Sequence, residues 1–431
     1  MRPLRDSPWY LVTVLTVAYV FSFIDRSILT LMVGPIRADL GISDTEISVL
    51  HGLAFAVFYT VLGIPIARIA DRANRRNLIV AGVAFWSLAT AACGLTRNFA
   101  QLFLARIGVG VGEAALSPAA YSMIADRFPP GKLGRALGVY TLGAVAGIGC
   151  ALIIGGAVVG AVATGGTTVV PLVGEVRPWQ VVFFLVGLPG LLVAGWIASL
   201  AEPPRRLLAP AAGTGAALWP WMRQYARAYT GHLLGFALVS IVLNAVIAWT
   251  PSHLIRNFGY SPAEAGLTLG GAVLVFGTAG IFCGGVLADR WRAAGRGDGA
   301  MRVGVVSAVG SLPFGLAAFA TDSLPLLVAS LAPLAFFGTF AYGAAPAAIQ
   351  LMTPAGNRAV ASAVYLFFLN LVGMGIGPVL VAVVTDRVFA SDNAVGLSLA
   401  IVVTVSAVGA AALLAWSLPD HRRAVVAADS G

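Results

Sequence analysis

Twelve apolar runs of roughly twenty residues or more recur along this 431-residue chain, and no other feature constrains its fold as tightly. They fall near 9–35, 46–70, 77–96, 99–125, 134–163, 180–201, 230–256, 262–288, 301–320, 324–351, 357–384 and 394–418. An apolar run of about twenty residues matches the hydrocarbon thickness of a bilayer when helical. In lipid, every backbone polar group must be satisfied within its own segment, which leaves helices as the spanning form for runs of this length. Hydrophobic residues make up 59% of the chain and charged residues 10%, with a mean hydropathy of +0.90, outside the range of soluble globular domains. The fold expected is therefore an all-α membrane protein of twelve transmembrane helices. The run from Trp9 is too long for a secretory h-region and contains Asp25 and Arg26, so it reads as a retained first span.

A net charge of +9 in a soluble chain would suggest nucleic acid, but here the placement of the basic residues decides otherwise. With a cytoplasmic N-terminus, the even-numbered connections and both tails collect twenty of the 27 Lys and Arg residues. The opposite side holds only Arg37, Arg97, Arg177, Arg256 and Arg387, while Arg26 and Arg106 lie within spans. By the positive-inside rule both termini are predicted cytoplasmic, and no nucleic-acid partner is expected. Cys93, Cys150 and Cys283 lie in apolar runs without CxxC spacing or histidine neighbours, so neither a metal site nor a disulfide framework is expected. No nucleophile elbow or His/Cys cluster supports an enzyme.

An internal repeat divides the spans into two sets of six. Gly41, Ser43, Glu46, Asp71 and Arg72 recur at one offset of 218 as Gly259, Ser261, Glu264, Asp289 and Arg290. Both copies open with S-x-x-E, a helix capping box, and both end in A-D-R. Parallel halves related by an axis along the membrane normal are a transporter architecture whose site lies between them. The organisation predicted is an N-terminal six-helix half over 1–201, a cytoplasmic linker over 202–229, a C-terminal half over 230–418 and a cytoplasmic tail over 419–431. Within the linker, WPWMRQYARAY has the composition of a segment lying along the membrane surface.

Intramembrane charge concentrates in LFLARIGVGVGEAALSP, Leu102 to Pro118. Seven residues advance an α-helix by about 700°, so Arg106 and Glu113 share one stripe. A charge at bilayer depth costs on the order of 3 kcal/mol even on the mild insertion scale, so such residues face a protein interior or an aqueous cavity. Asp25 lies about 24 Å along the first span from one surface, and Arg106 about 10 Å below the other, for a hydrocarbon core about 30 Å thick. The two are at similar depth. GVGEAA from Gly110 also fits the dinucleotide fingerprint, but no strand precedes it, and its small residues read as helix-packing devices.

Several of these motifs resemble a known family. Ala67-x-x-x-Asp71-Arg72-x-x-Arg75-Arg76 and GVLADR over 285–290 are similar to the signature loops of the major facilitator superfamily, with Ala67 standing where glycine is usual. Arg106-x-x-x-Gly110-x-Gly112 resembles that superfamily's fourth-helix motif, whose arginine is linked to proton coupling. More narrowly, FIDRS around Asp25, ARIGVGVGEAALSP and ADRFPPGKLGRALGVY resemble the spinster branch, whose members move sphingosine-1-phosphate, lysophospholipids or related amphiphiles. Short loops and the absence of an N-x-[ST] acceptor suit a bacterial member, which implies an inner-membrane location.

The resemblance places helices 1 and 4 on one cavity. It implies a proton-coupled secondary transporter working by alternating access, driven by a proton gradient without a cofactor, and acting on an amphiphile as a monomer. Asp25, Arg106 and Glu113 are the expected proton-coupling residues, with Arg106 pairing to Asp25 when that acid is deprotonated and Glu113, about 10 Å along the helix from Arg106 and out of its direct reach, as a second protonation site or a partner for a substrate amine. An acid whose charge is favoured by an arginine and disfavoured by a low dielectric can change state as the site opens to one side. The alternative is a purely architectural ion-pair network. Arg26 is expected either to snorkel or to neutralise an anionic head group. Asp71, Arg72, Arg75 and Arg76, with Asp289 and Arg290, are the expected conformational latch. In the second half the candidate substrate contacts are Asn244, Trp249, Tyr342, Tyr365 and Asn370, and Trp249-Thr250-Pro251 is a candidate gate. His51 and His253 are expected at the interface. A symporter of a small organic anion or sugar on the same fold is the alternative function; a receptor or channel, which would need a large extramembrane domain or a continuous polar stripe, is the alternative of another class.

Overall fold

A computed structural model describes residues 7–70, 72–163, 165, 167–170, 174–205, 218–354 and 357–430. Among them, twelve helices are long and apolar enough to cross a membrane. In chain order these are α1 (Pro8–Leu31), α2 (Asp44–Ala70), α3 (Arg75–Cys93), α4 (Phe99–Arg127), α5 (Arg135–Val162), α6 (Pro178–Ala198), α7 (Ala226–Phe258), α8 (Pro262–Ala293), α9 (Gly299–Phe319), α10 (Leu324–Leu351), α11 (Val360–Phe389) and α12 (Asp392–Ala428). A two-stranded antiparallel hairpin, β1 (Thr168–Val170) and β2 (Gly174–Val176), lies between α5 and α6.

The repeat is visible in its caps. Ser43 N–H donates to Glu46 Oε2 at 2.8 Å at the start of α2, and Ser261 N–H donates to Glu264 Oε2 at 2.8 Å before α8. In both copies the Ser hydroxyl accepts from the Glu N–H in return, closing a complete capping box. The preceding glycines, Gly41 at φ 63° and Gly259 at φ 68°, adopt the left-handed conformation that ends one helix and admits the next.

Two helix ends depart from the expected spans. The first span stops at Leu31 after a 3₁₀ turn over Ile28–Leu31, and Val33–Leu40 forms a separate short helix. Pro35 is the reason: it has no N–H to donate and its ring clashes with the carbonyl four residues earlier. The last span runs past 418 through Pro419, because Ala424 and Val425 are buried and His421 Nε2 lies 3.1 Å from the Ala348 carbonyl. Part of the expected tail is thus helix docked on α10. In the linker, Leu218–Gln224 is helical, with Trp219 exposed and Trp221 Nε1 donating to Met352 O at 3.0 Å.

The chain divides into two compact units, Met1–Leu207 with Pro251–Leu274, and Leu208–Thr250 with Val275–Gly431. In the first unit, small residues set the approach of α5 and α8. A Cβ on Gly156 would fall 2.7 Å from Pro262 O, and one on Gly270 2.7 Å from Gly149 O, so larger residues there would force the helices apart. Asp44, fully buried at the start of α2, accepts from both nitrogens of Arg256 at 2.6 and 2.7 Å and lies 3.1 Å from Arg37.

Each unit also ties its helix ends with buried ions. In the first, Arg75 opens α3 at 1% exposure and clasps Asp126 and Glu202, donates to Ser122 at 2.8 Å and reaches Pro203 O at 2.8 Å. Arg205 donates to Ala70 O at 2.8 Å at the end of α2. In the second, Asp298 precedes α9, is fully buried, and accepts from Arg302 at 2.9 Å and Arg422 at 2.8 Å. The roles of acid and base are inverted between the two ties. Of the expected latch, Arg75 is therefore occupied inside its own unit, Arg76 binds Glu202 Oε2 through its N–H at 2.8 Å, and Arg72, Asp289 and Arg290 are exposed. Asp71 lies outside the described residues.

Replacing Arg75 removes the buried guanidinium that Asp126 and Glu202 share. Arg75→Met is expected to destabilise the protein by about 3 kcal/mol, the scale for breaking one side of a buried pair. Arg75→Lys is expected to recover only part, because an ammonium cannot reproduce the guanidinium fork. Thermal unfolding of the purified protein in detergent measures both; an unchanged Tm in Arg75→Met would remove the tie from the account of stability.

Candidate functional site

Four charged side chains meet inside the first unit. Asp25, Arg106 and Glu113 are 2%, 0% and 1% exposed, and Arg26 retains 13% side-chain exposure. Asp25 and Arg26 come from the last turn of the regular helix of α1, which ends at Ser27. Arg106 and Glu113 come from α4, which can approach its neighbours because it presents glycines. A Cβ on Gly112 would lie 2.7 Å from Trp86 Cβ, and one on Gly110 would lie 3.0 Å from Phe55 O. Those glycines pack helices, as their pattern implied.

Arg26 and Glu113 form a direct ion pair. Arg26 Nε donates to Glu113 Oε2 at 2.6 Å and its terminal nitrogen reaches the same oxygen. The guanidinium is also faced by three aromatic rings, with its carbon 4.3 Å from the Phe55 centroid, 4.9 Å from Phe23 and 5.1 Å from Tyr59. Such cation–π contacts stabilise a desolvated cation by roughly 2 kcal/mol. Behind this box, Tyr19 stacks on Tyr140 at 4.7 Å.

Arg106 is held differently. One terminal nitrogen donates to the backbone carbonyl of Asp25 at 3.0 Å, and Nε points at Leu50 O at a long 3.5 Å. Its other terminal nitrogen and Asp25 Oδ1 are buried without a hydrogen-bond partner among the described residues. Trp86 and Thr90 of α3 flank the Asp25 carboxyl. A π-helical turn over Val49–Leu53 turns His51 toward Arg106. The four groups sum to zero charge only when both acids are ionised.

The structure corrects the expected pairing. Arg106 meets Asp25, but through the main chain, because the tight turn that ends α1 leaves its last carbonyls open to outside donors. Glu113, expected out of reach of Arg106, pairs with Arg26, which is therefore neither snorkelled nor free for a head group here. The side chain next to Asp25 points about 100° around α1, onto another stripe, and a long guanidinium stem spans the remaining gap. His51 lies within the electrostatic reach of Arg106, and His253 is 4% exposed beside Phe258.

In the second unit, Asn244 and Tyr342 converge on Ser240, at 3.1 and 3.0 Å from its hydroxyl. Trp249 is buried and donates from Nε1 to Pro378 O at 2.9 Å, tying α7 to α11. Tyr365 is buried against His232 and Phe236, so both aromatics serve packing. Asn370 is half-buried in a π-helical stretch over Leu369–Ile376. A separate cavity of about 400 Å³, walled by Met32, Pro35, Val159, Trp179 and Val182, includes none of the four charged residues.

Residues 15–378 match the model of the Major Facilitator Superfamily. The chain belongs to that superfamily. It is 30% identical over 417 residues to an MFS-type efflux pump of Mycolicibacterium smegmatis, covering 96% of this chain and 93% of that one. It is 28% identical over 286 residues to a probable L-galactonate transporter of Escherichia coli, covering 63% and 59%. Its fold superposes with a TM-score of 0.79, at 28% identity and over 99% and 98% of the chains, on a bacterial homolog to the human lysosomal transporter Spinster in an inward-facing, unoccupied conformation. This facilitator is thus a multi-pass secondary transporter of Spinster-like fold, not an enzyme.

Sequence reasoning missed the aromatic box around Arg26. Its signal was present: Phe23 lies three residues before Arg26, and Phe55 and Tyr59 are spaced i, i+4 on one face of α2.

Removing one member of the closed pair strands the other. Glu113→Gln is expected to destabilise the facilitator by about 3 kcal/mol, and Arg26→Met combined with Glu113→Gln to recover most of that loss. Thermal unfolding of the two single variants and the double variant closes the cycle; strictly additive losses would mean that the pair carries no coupling.

Proposed function

We propose that this facilitator is a proton-coupled transporter of an amphiphile with a polar head and a hydrocarbon tail, working by alternating access. The observation that carries the proposal is the half-made contact between Asp25 and Arg106. Arg106 already reaches the main chain of Asp25, while one buried oxygen of the Asp25 carboxyl lacks a donor and one buried nitrogen of the Arg106 guanidinium lacks an acceptor among the described residues. Ionised, Asp25 gains by drawing that nitrogen to its side chain; protonated, it loses the attraction. One proton therefore biases α1 against α4 between two arrangements, which is what coupling requires. Arg26 and Glu113, already clasped, are available to exchange partners when substrate arrives.

The amphiphile is supported by the distribution of polarity. Intramembrane charge is concentrated in four residues of the first unit, whereas the candidate contacts of the second, Asn244 and Tyr342 on Ser240, are uncharged. Similarity to a Spinster homolog supports a lysolipid-like substrate, and full-length similarity to an efflux pump supports export. The arginine distribution supports an inner-membrane orientation with both termini cytoplasmic, which places Asp289 and Arg290 on the cytoplasmic side as residues of a latch. A second reading, a sugar acid, has one specific support: the unsatisfied Arg106 nitrogen would donate to a carboxylate, as the probable L-galactonate transporter's substrate would present. Ligand-induced thermal shifts with lysolipids and with sugar acids separate the two.

In proteoliposomes, Asp25→Asn is expected to abolish pH-gradient-driven flux while leaving the substrate-induced thermal shift intact. Undiminished gradient-driven flux in this variant would overturn the coupling role of Asp25.

A further inference from the structure

We infer that the outer stripe of the linker helix, continued onto the start of α7 and the end of α12, is a docking site for an anionic phospholipid of the surrounding bilayer. The site lies wholly in the second unit, apart from the charged cluster of α1 and α4, and holds whatever the cargo is.

The stripe follows from the spacing of the residues. The linker helix over Leu218–Gln224 runs on into α7, because Tyr225 N–H donates to Trp221 O and Tyr229 N–H to Tyr225 O, each at 3.1 Å. Trp219, Arg223 and Arg227 recur every four residues along it and so share one face. The opposite face is spent on packing. Trp221, Met222 and Tyr225 lie against the core of the second unit, and the Tyr229 hydroxyl bonds Thr353 Oγ1 at 2.7 Å. Trp219 remains 74% exposed, and Arg223 is exposed with neither an ion pair nor a hydrogen bond among the described residues.

The neighbouring helix extends the patch. A Cβ on Gly231 would collide with Ser417, so α7 and α12 approach closely one turn beyond Arg227. That contact sets the Arg227 guanidinium carbon 4.6 Å from the ring centroid of the exposed Trp416. Asp420 lies between two arginines at loose distances, 3.5 Å from Arg227 Nε and 3.3 Å from a terminal nitrogen of Arg423. Arg227 Nε still lacks a hydrogen-bond partner among the described residues. Arg422 is engaged elsewhere, on Asp298. Three guanidiniums, those of Arg223, Arg227 and Arg423, therefore share one carboxylate, which orients two of them and leaves donors of all three unspent.

Charge and ring chemistry together select the occupant. A guanidinium fork matches a phosphate, and basic side chains beside a bilayer favour anionic head groups by roughly fivefold for each unit of charge. Trp219 and Trp416 are amphipathic rings of the kind that settle at head-group level, next to the glycerol backbone of a lipid rather than in open water. A zwitterionic lipid would bring its own cation to a surface already in excess of positive charge, which lowers its claim on the site.

The test titrates the full chain in detergent with phosphatidylglycerol or phosphatidylcholine of the same acyl chains and reads the first bound equivalent by native mass spectrometry. The wild type is expected to prefer phosphatidylglycerol about ten- to thirtyfold, the scale of two uncompensated charges. Arg223→Gln combined with Arg423→Gln is expected to reduce that ratio to about twofold or less; both side chains are exposed, so the fold is expected to survive. Arg292→Gln combined with Arg296→Gln removes two exposed arginines from another surface and is expected to leave the ratio unchanged. Equal binding of the two lipids by the wild type, no saturable binding of phosphatidylglycerol, or an unchanged ratio in the first double variant overturns the site. An equal fall in both double variants also overturns it, in favour of the chain's overall positive charge.

Discussion

The pairing of four buried charges is the constraint on which the first unit depends. Each ionised group at membrane depth costs on the order of 3 kcal/mol, so four together approach the whole stability of a domain. Such a set persists only if the surrounding helices over-determine it. That requirement accounts for features that otherwise look unrelated. Glycines at 110 and 112 let α4 close on α2 and α3, the tight turn after Ser27 exposes the carbonyl that Arg106 takes, and a π-helical turn in α2 places Leu50 and His51 against the same arginine. Three aromatic rings then supply the remaining wall around Arg26.

The ties at the helix ends follow a different logic. Arg75 gathers two acids, and Asp298 gathers two arginines, so each tie has one fully buried centre and more exposed partners. A centre with two opposite charges is protected against the loss of either one. These ties belong to stability, and they hold a unit together as a body that can move whole. Asp44, gripped by Arg37 and by both nitrogens of Arg256, does the same for the tip formed by α7 and α8.

Spans, repeat and intramembrane charges were legible in the residues because each rests on a one-dimensional rule: run length, fixed offset, and the rarity of charge in lipid. The capping boxes at Ser43 and Ser261 were legible for the same reason, since a cap is a local event. What escaped was lateral. Depth along a helix placed Asp25 level with Arg106, yet depth does not say which atom of a residue faces which neighbour. The 3₁₀ turn that offers the Asp25 carbonyl and the rotation that sends Arg26 to Glu113 are set by packing between helices. Trp249 shows the same limit, for its position in a span fits a gate, a ligand contact or a strut, and its bond to the Pro378 carbonyl is not readable from that position.

The two pairs of the site are unequal, and the inequality bears on how such a machine can work. Arg26 and Glu113 share a short, direct hydrogen bond inside an aromatic box, whereas Arg106 and Asp25 are joined only through the main chain, with a nitrogen and an oxygen left over. A complete pair resists change until something of like charge competes for it; an incomplete pair has a second arrangement already within reach. On the proposed reading, the first is suited to exchange partners when substrate arrives and the second to respond to a proton. Both acids lie in one electrostatic environment, so occupancy of the first alters the field at the second. On that reading substrate and proton need no separate relay: the proposed coupling is the shared charge of a single buried cluster, which is neutral only when every acid has its cation.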